Sequence, residues 1–548
     1  MTALEPLPLY VPVLLPIVAG TIGYFVPTRI YKHILIVAQM TVVGVAVHLL
    51  AHVRESGTLV EPLAGWAEPV GIALKLDAIS APLLLLVAVV FLLLFLFNYN
   101  KLYMDKLFQF VFVSLQGVIA SLFLTADVFN VYVLIELTTV FSTLLIMYKK
   151  GKPALYNGML YLMFSILAMA FFLLGIGFTY QTFGVLDFAG IRERSLAMTD
   201  RGALILPYSL MMTAVGMKAG LLPMFGWLPR AHAAPSAPSM VSAMLSGIQV
   251  KAGIYLFIRM QLMFGEALGT RQLFLVVGIL TAVAGFVLAI CQRDIKLILA
   301  YSTVSQIGLI VIGLTSGSEI GFWGGIYHII NHAVFKALLF LTAGLIAKEY
   351  GTRDIAMIRG TVRRMPVVTV AAMLAVLGMA GAPFFNGSIS KYLIESGLSG
   401  DVRWQAAIYV VNFGTMLTFT RYATIFFGDP GEARRSGEAS RAADGWTATV
   451  ALVFGLIILA SGVAAGPLMR VLFPVADPGL LASGASAIGK TLVFAATFAA
   501  AIATYLLVVR RAAVLDRIRG VSVSFNAMAM MMTGFFAFLL FYLLVTVQ

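Results

Sequence analysis

Apolar runs of about twenty residues recur along the whole 548-residue chain, and most carry no charge near their middle. A helix rises 1.5 Å per residue, so ~20 apolar residues match the ~30 Å hydrocarbon layer of a bilayer. Sixteen such spans fall at 8–27, 33–53, 79–97, 107–125, 128–148, 156–180, 203–225, 238–264, 272–291, 295–315, 321–347, 366–397, 405–427, 447–470, 488–509 and 525–547. With 61% hydrophobic and 11% charged residues, too little polar surface remains to cover a water-soluble globule. The predicted fold is an all-α polytopic membrane protein of about 14–16 transmembrane helices, with no soluble domain. Its longest polar stretches are 54–78, 181–202 and 428–446. Residues 8–27 read as a first span and not a cleaved leader, because no basic segment precedes them.

The basic residues test this count. With the N-terminus outside, 22 Lys and Arg fall in inside loops and 8 in outside loops, as the positive-inside bias requires. A missed span in the middle would scramble that asymmetry. Both termini are therefore expected on the outer face of a cell (inner) membrane. The same bias accounts for the net charge of +13, so nucleic acid is not an expected partner. The single cysteine, Cys291, excludes a disulfide framework and a cysteine-ligated zinc or iron–sulfur site in this chain alone.

Of the 37 Lys and Arg, seven are left once these loop and span-end residues are set aside: Lys218, Lys251, Arg259, Lys336, Lys391, Arg421 and Lys490. Charges at membrane depth are costly and mark ion paths or buried pairs. Arg259, Arg421 and Lys490 lie near span ends and are read as snorkelling. Lys218 lies mid-span in Gly216-Met-Lys-Ala-Gly-Leu-Leu-Pro223, where glycine and proline can interrupt the helix. Glu136 is the lone charge between Val128 and Met147; it is either a partner for Lys218 or a structural glutamate. Asp127 reads as an interfacial helix cap. Lys251 follows Ser246-Gly-Ile-Gln-Val. Lys391 follows the broken stretch Gly378-Met-Ala-Gly-Ala-Pro383 and could pair with Glu395 four residues on. His328, His332 and Lys336 share one helical face. Two histidines so spaced can bind zinc, but the lysine on the same stripe disfavours a cation. A proton relay suits histidine better, and a buried structural pair is the alternative. No metal or cofactor is expected in this chain.

The two broken stretches at Gly216 and Gly378 resemble each other and lie five spans apart, an odd number, so they run in opposite directions. That is the pattern of an inverted five-helix repeat. The expected organisation is 1–106 (spans 1–3), 107–264 (first repeat), 272–427 (second repeat) and 428–548 (last spans). Gly484-Ala-Ser-Ala-Ile-Gly-Lys-Thr491 matches a phosphate-loop pattern, but a membrane span follows it and no strand precedes it. It is therefore read as a decoy.

Taken together, several segments are specific. They include Leu124-Thr-Ala-Asp-Val-Phe-Asn-Val-Tyr-Val-Leu-Ile-Glu136, Gly216 to Pro229, Ala234-Pro-Ser-Ala-Pro-Ser239, Arg293 to Gln306, and His328-Ile-Ile-Asn-His-Ala-Val-Phe-Lys336. From about residue 80 to 430 the chain resembles the antiporter-like membrane subunits shared by respiratory complex I, Mrp-type cation/proton antiporters and membrane-bound energy-converting hydrogenases. The resemblance implies two inverted five-helix units, each with a discontinuous helix. It implies a Glu136–Lys218 pair, a central relay lysine at Lys251, a hydrated axis through His328 and His332, and a terminal group at Lys391. It also implies partner membrane subunits, with any redox module on other chains and no oxidoreductase activity in this one. Two departures touch the gating neighbourhood: Arg230 precedes Ala231-His232, and Asn386-Gly-Ser-Ile-Ser precedes Lys391. A non-conducting structural subunit, a stand-alone transporter and a partner energising uptake of a small solute such as inorganic carbon are the competing readings.

Overall fold

The computed structural model describes residues 6–66, 71–232, 237–429, 444–473, 484–519 and 523–547. Its long helices are α1 Val11–Gly23, α2 Thr28–Ser56, α3 Ser80–Asn98, α4 Lys106–Leu124, α5 Val128–Ile146, α6 Lys152–Phe183, α7 Ile205–Ala219, α8 Ser239–Leu268, α9 Arg271–Cys291 and α10 Ile295–Leu314. They continue as α11 Glu319–Tyr350, α12 Pro366–Ala380, α13 Asn386–Ser396, α14 Val402–Ala423, α15 Gly445–Val463, α16 Gly484–Leu507 and α17 Phe525–Thr546. Thirteen of the described helical stretches are long and apolar enough to cross a membrane. The shorter α1, the α12–α13 pair and the less apolar α14 fill the remaining passes, so each of the sixteen expected spans corresponds to a helix. The stretch 54–78 departs from the all-α expectation. There Leu59–Pro62 pairs antiparallel with Ala73–Leu76. The phosphate-loop match lies within the helix Gly484–Leu507, which the decoy reading requires. Arg434, Arg435 and Arg441 and the side chain of Lys490 lie outside the described residues.

The two halves repeat one another residue for residue over a long stretch. Helices α6 and α11 each run 32 residues, and each ends on a left-handed glycine, Gly184 and Gly351. Asp127 caps α5 and bridges to Asp187, while Asp294 caps α10 and bridges to Asp354. One constant sequence offset carries 152–183 onto 319–350, Asp127 onto Asp294 and Asp187 onto Asp354. Because five passes separate the partners, the second unit is inverted in the bundle.

Each unit contains an interrupted helix, made by the same local device. α7 stops at Ala219, Gly220 takes φ +74°, and the Leu221 amide bonds back to Gly216 O at 2.9 Å. α12 stops at Ala380, Gly381 takes φ +82°, and the Ala382 amide bonds back to Leu377 O at 2.9 Å. A positive φ at the helix end suits glycine, and these bonds satisfy carbonyls the broken helix would otherwise orphan. The geometry matches Gly220 with Gly381. Lys218 therefore corresponds to Met379, not to a second lysine.

α8 and α11 form the centre of the bundle, and both are buried along almost their whole length. Lipid contributes no hydrophobic drive between helices, so close backbone approach has to hold them. At the α9–α10 contact the positions Gly285 and Gly308 face Ser305 and Ala282 backbone atoms, with no room for a Cβ.

Candidate functional site

A polar seam runs through this apolar centre. At its first end Lys218 is buried, and its Nζ donates to Thr139 Oγ1 at 2.7 Å. The Tyr161 ring lies 5.7 Å from the same ammonium. Glu136, one turn before Thr139, is half-buried and lies within electrostatic range of Lys218. No ion pair within 4.0 Å joins them among the described residues. The expected Glu136–Lys218 pair is thus electrostatic and not bonded: the ammonium bonds the Thr139 hydroxyl, which itself donates to Ile135 O at 2.8 Å. The preceding threonine, Thr138, accepts from Gln249 Nε2 at 3.1 Å, which leads from α5 into α8.

In α8 the residues Leu245–Gln249 widen into one π-helical turn. Such a turn lengthens the backbone ladder and frees a carbonyl. Lys251, five residues past Ser246, turns back onto that Ser246 carbonyl. Its Nζ also reaches His332 Nδ1 on α11 at 2.8 Å. Both side chains are enclosed.

His332 and His328 follow one turn apart on α11, rings nearly parallel at 6.2 Å. His328 Nε2 lies 2.9 Å from Gln306 Oε1, and His328 Nδ1 lies 2.8 Å from Ser390 Oγ. The Gln306 amide nitrogen is spent on Thr415 Oγ1 at 3.0 Å. Its oxygen therefore faces His328, which needs a proton on Nε2 and leaves Nδ1 to accept from Ser390. Next to Ser390, Lys391 bends into the break of the second interrupted helix and donates to Met379 O at 2.9 Å. Met379 occupies the place that Lys218 holds in the first unit. The two units thus bring an ammonium to the same break, one from before it and one from after it. Asn386 and Asn331 brace this region through a pair of bonds at 3.0 and 3.1 Å.

Lys336 continues the histidine stripe but turns towards α10, donating to Leu299 O at 2.9 Å and Ser302 Oγ at 2.5 Å. It is buried beside the seam, with its ammonium bonded to α10 and within electrostatic range of Lys251 and His332.

Three further expectations are corrected. Lys391 does not pair with Glu395, which accepts from Tyr409 at 2.8 Å instead. An orphan carbonyl at the helix break is a nearer partner for a buried ammonium than an acid at the helix's far end. Arg259 does not snorkel. It is buried and grips Asp77 through Nη1–Oδ2 at 2.7 Å and Nη2–Oδ1 at 3.0 Å. Burial raises the pKa of Asp77, but the Arg259 charge and the hydrogen bonds from Arg259 and Ser80 outweigh it and lower it to about 2. Arg421 likewise turns inward, onto the Ile290 carbonyl. The acid partner of Arg259 lies far away in sequence, so span-end position alone misreads it.

Thr138, Thr139, Gln249, Gln306 and Ser390 belong to the seam but are absent from the site residues expected on sequence grounds. Their one sequence signal is that of neutral polar groups inside apolar spans. His232 is also buried, with its ring 6.2 Å from Trp227 and 5.7 Å from Phe340.

Residues 125–418 match the family described as NADH:quinone oxidoreductase/Mrp antiporter, transmembrane. The D-type component of the Na(+)/H(+) antiporter of Alkalihalophilus pseudofirmus is 28% identical over 479 residues, covering 85% of this chain and 96% of that one. The N-type component of the NADH-quinone oxidoreductase of Desulforudis audaxviator is 31% identical over 362 residues, covering 64% and 71%. Among solved structures, a chain of the Mrp complex from Dietzia sp. superposes with a TM-score of 0.77 at 24% identity, over 89% of this chain and 99% of that one.

Proposed function

Because this chain belongs to the NADH:quinone oxidoreductase/Mrp antiporter transmembrane family, we propose that it is a proton-translocating membrane subunit of a multi-subunit energy-converting complex. The observation that carries the reading is the Lys251–His332 contact at 2.8 Å, in the middle of a seam that links the two interrupted helices. A contact that short between two basic groups holds one shared proton, since one nitrogen must accept. Adding a proton on one side then displaces one on the other. Burial makes each added charge costly, so loading at Lys218 or Lys391 is felt along the seam. Gln249 Oε1, Ser305 Oγ and His332 Nε2 are buried without a protein partner among the described residues. Buried polar atoms find partners in water when protein supplies none, and these three mark where a water chain would complete the path.

Partner membrane subunits would supply the drive, through a redox module or through a counter-ion such as sodium. The 22-to-8 division of basic residues between inside and outside loops supports a cell inner membrane setting with both termini on the outer face.

The test is proton translocation in vesicles holding the assembled complex with Lys218→Ala or Lys251→Ala. Loss of translocation with assembly intact is expected. Unchanged translocation would instead mark a structural subunit and overturn the proposal.

A further inference from the structure

On the face where α9, α14 and α16 end, six arginines line one cavity of about 450 Å³: Arg293, Arg359, Arg421, Arg510, Arg511 and Arg519. Among the described residues the lining contains no lysine and one carboxylate, Asp516. The volume falls in the roughly 300–1,000 Å³ range of small-ligand sites.

A basic inner face by itself needs only the positive-inside bias, and residues serving that bias can point into water. Three of these six are held by hydrogen bonds instead, and a fourth, Arg293, lies near an acid. Arg421 donates to the Ile290 carbonyl. Arg519 donates through Nε to Cys291 O at 2.8 Å and pairs with Asp516 at 2.6 Å. Arg359 holds Ile355 O at 2.7 Å and Ile358 O at 2.8 Å. Arg293 lies 3.9 Å from Asp354. Arg510 and Arg511, on the single turn Val509–Arg511, form no ion pair within the described residues and stay exposed at the mouth.

Guanidinium forks held this way suit a phosphate, which takes paired N–H donors. Tyr505, Val509 and Leu515 supply an apolar wall. Beyond the wall α16 presents Leu506, Leu507 and, higher up, Leu492 and Val493 as bare surface. A headgroup in the cavity would therefore continue into chains lying along α16.

We infer that this cavity binds the phosphodiester headgroup of an anionic phospholipid, with the acyl chains along α16. Basic pockets between spans on the cytoplasmic side are suited to such headgroups. The bound lipid would fasten α16 and the short helix Val514–Arg519 to the second repeat. The commitment is to a lipid; a free phosphate is the alternative source of the same chemistry.

The experiment titrates the full-length protein in neutral detergent with phosphatidylglycerol, phosphatidylcholine or glycerol phosphate. Thermal unfolding and retained lipid by native mass spectrometry are read together. Phosphatidylglycerol should raise Tm saturably, while phosphatidylcholine and glycerol phosphate should not. Arg510→Gln with Arg511→Gln should weaken the apparent affinity on the order of tenfold or more, at about 1 kcal/mol per basic residue. Arg29→Gln with Lys149→Gln, exposed on the same face outside the cavity, should leave it unchanged. Equal responses to both lipids, or a cavity variant matching the native protein, would overturn the inference. A glycerol phosphate response equal to that of phosphatidylglycerol would overturn the lipid assignment in favour of a free anion.

Discussion

Lys251 Nζ and His332 Nδ1 stand 2.8 Å apart, on two different helices, α8 and α11, with both side chains buried. A π-helical turn over Leu245–Gln249 frees the Ser246 carbonyl for Lys251 and aims its ammonium at the histidine. In this geometry one nitrogen donates and the other accepts, so the proton belongs to the pair.

Removing the accepting nitrogen should therefore interrupt transfer. With His332→Leu, translocation in vesicles is expected to fall at least about tenfold, which corresponds to about 1.4 kcal/mol. His332→Asn, which keeps an acceptor, should restore part of it. Native rates in His332→Leu would show that the contact is structural only.

At the other end of the seam, Thr139 is the hydroxyl that takes the Lys218 ammonium at 2.7 Å. Thr139→Val leaves a buried donor unsatisfied, a loss of about 1–3 kcal/mol. A lower thermal midpoint and slower translocation are expected, with Thr139→Ser close to the native protein. If valine and serine behave alike, Glu136 and not Thr139 is what holds the lysine.

The break in the second interrupted helix depends on contact between its two halves. A Cβ at Gly387 would run into Gly378 O, with the Phe335 ring 3.1 Å away. Gly387→Ala should lower stability by about 1–3 kcal/mol through overpacking. Gly400→Ala, which meets nothing within 4 Å among the described residues, should stay within about 0.5 kcal/mol. Thermal unfolding of the two variants side by side decides it.

The Asp77–Arg259 pair carries a pH signature. Asp77 titrates near pH 2 in the folded chain, against about 3.9 for an unfolded aspartate. Its contribution is therefore complete above about pH 4 and is lost as pH falls towards 2. Asp77→Asn should flatten the Tm profile in that window. At neutral pH, Asp77→Ala should cost about 3–5 kcal/mol by leaving a buried guanidinium unpaired, and Asp77→Ala with Arg259→Met should recover much of that loss.

Glu395 gives a negative control. It bonds Tyr409 at 2.8 Å while Lys391 bonds Met379 O. Glu395→Gln should leave translocation unchanged within about twofold (~0.4 kcal/mol), whereas Lys391→Ala should abolish it. Equal losses in the two would restore a functional Lys391–Glu395 pair.

The passes, their alternating direction and the ammonium groups at membrane depth are all readable from residues 8 to 547. Length, apolar content and loop charge are local properties, and lipid acts on each helix separately. The interrupted helices are readable too, since Gly220 and Gly381 mark the stops within single segments. The matched halves are readable only in outline. The short motif match suggests a repeat, but the counterpart of Lys218 is Met379, and Lys391 reaches that place from the far side of the break.

By itself, then, the sequence determined that this protein is a bundle of membrane helices with buried lysines and histidines. The tertiary structure alone decided which of those groups meet. Lys251 finds His332, Lys218 finds Thr139, Lys391 finds a backbone carbonyl and Arg259 finds Asp77. Hydrogen bonds form or fail within a few tenths of an ångström. That separation is set by how distant helices pack, which no local run of residues specifies.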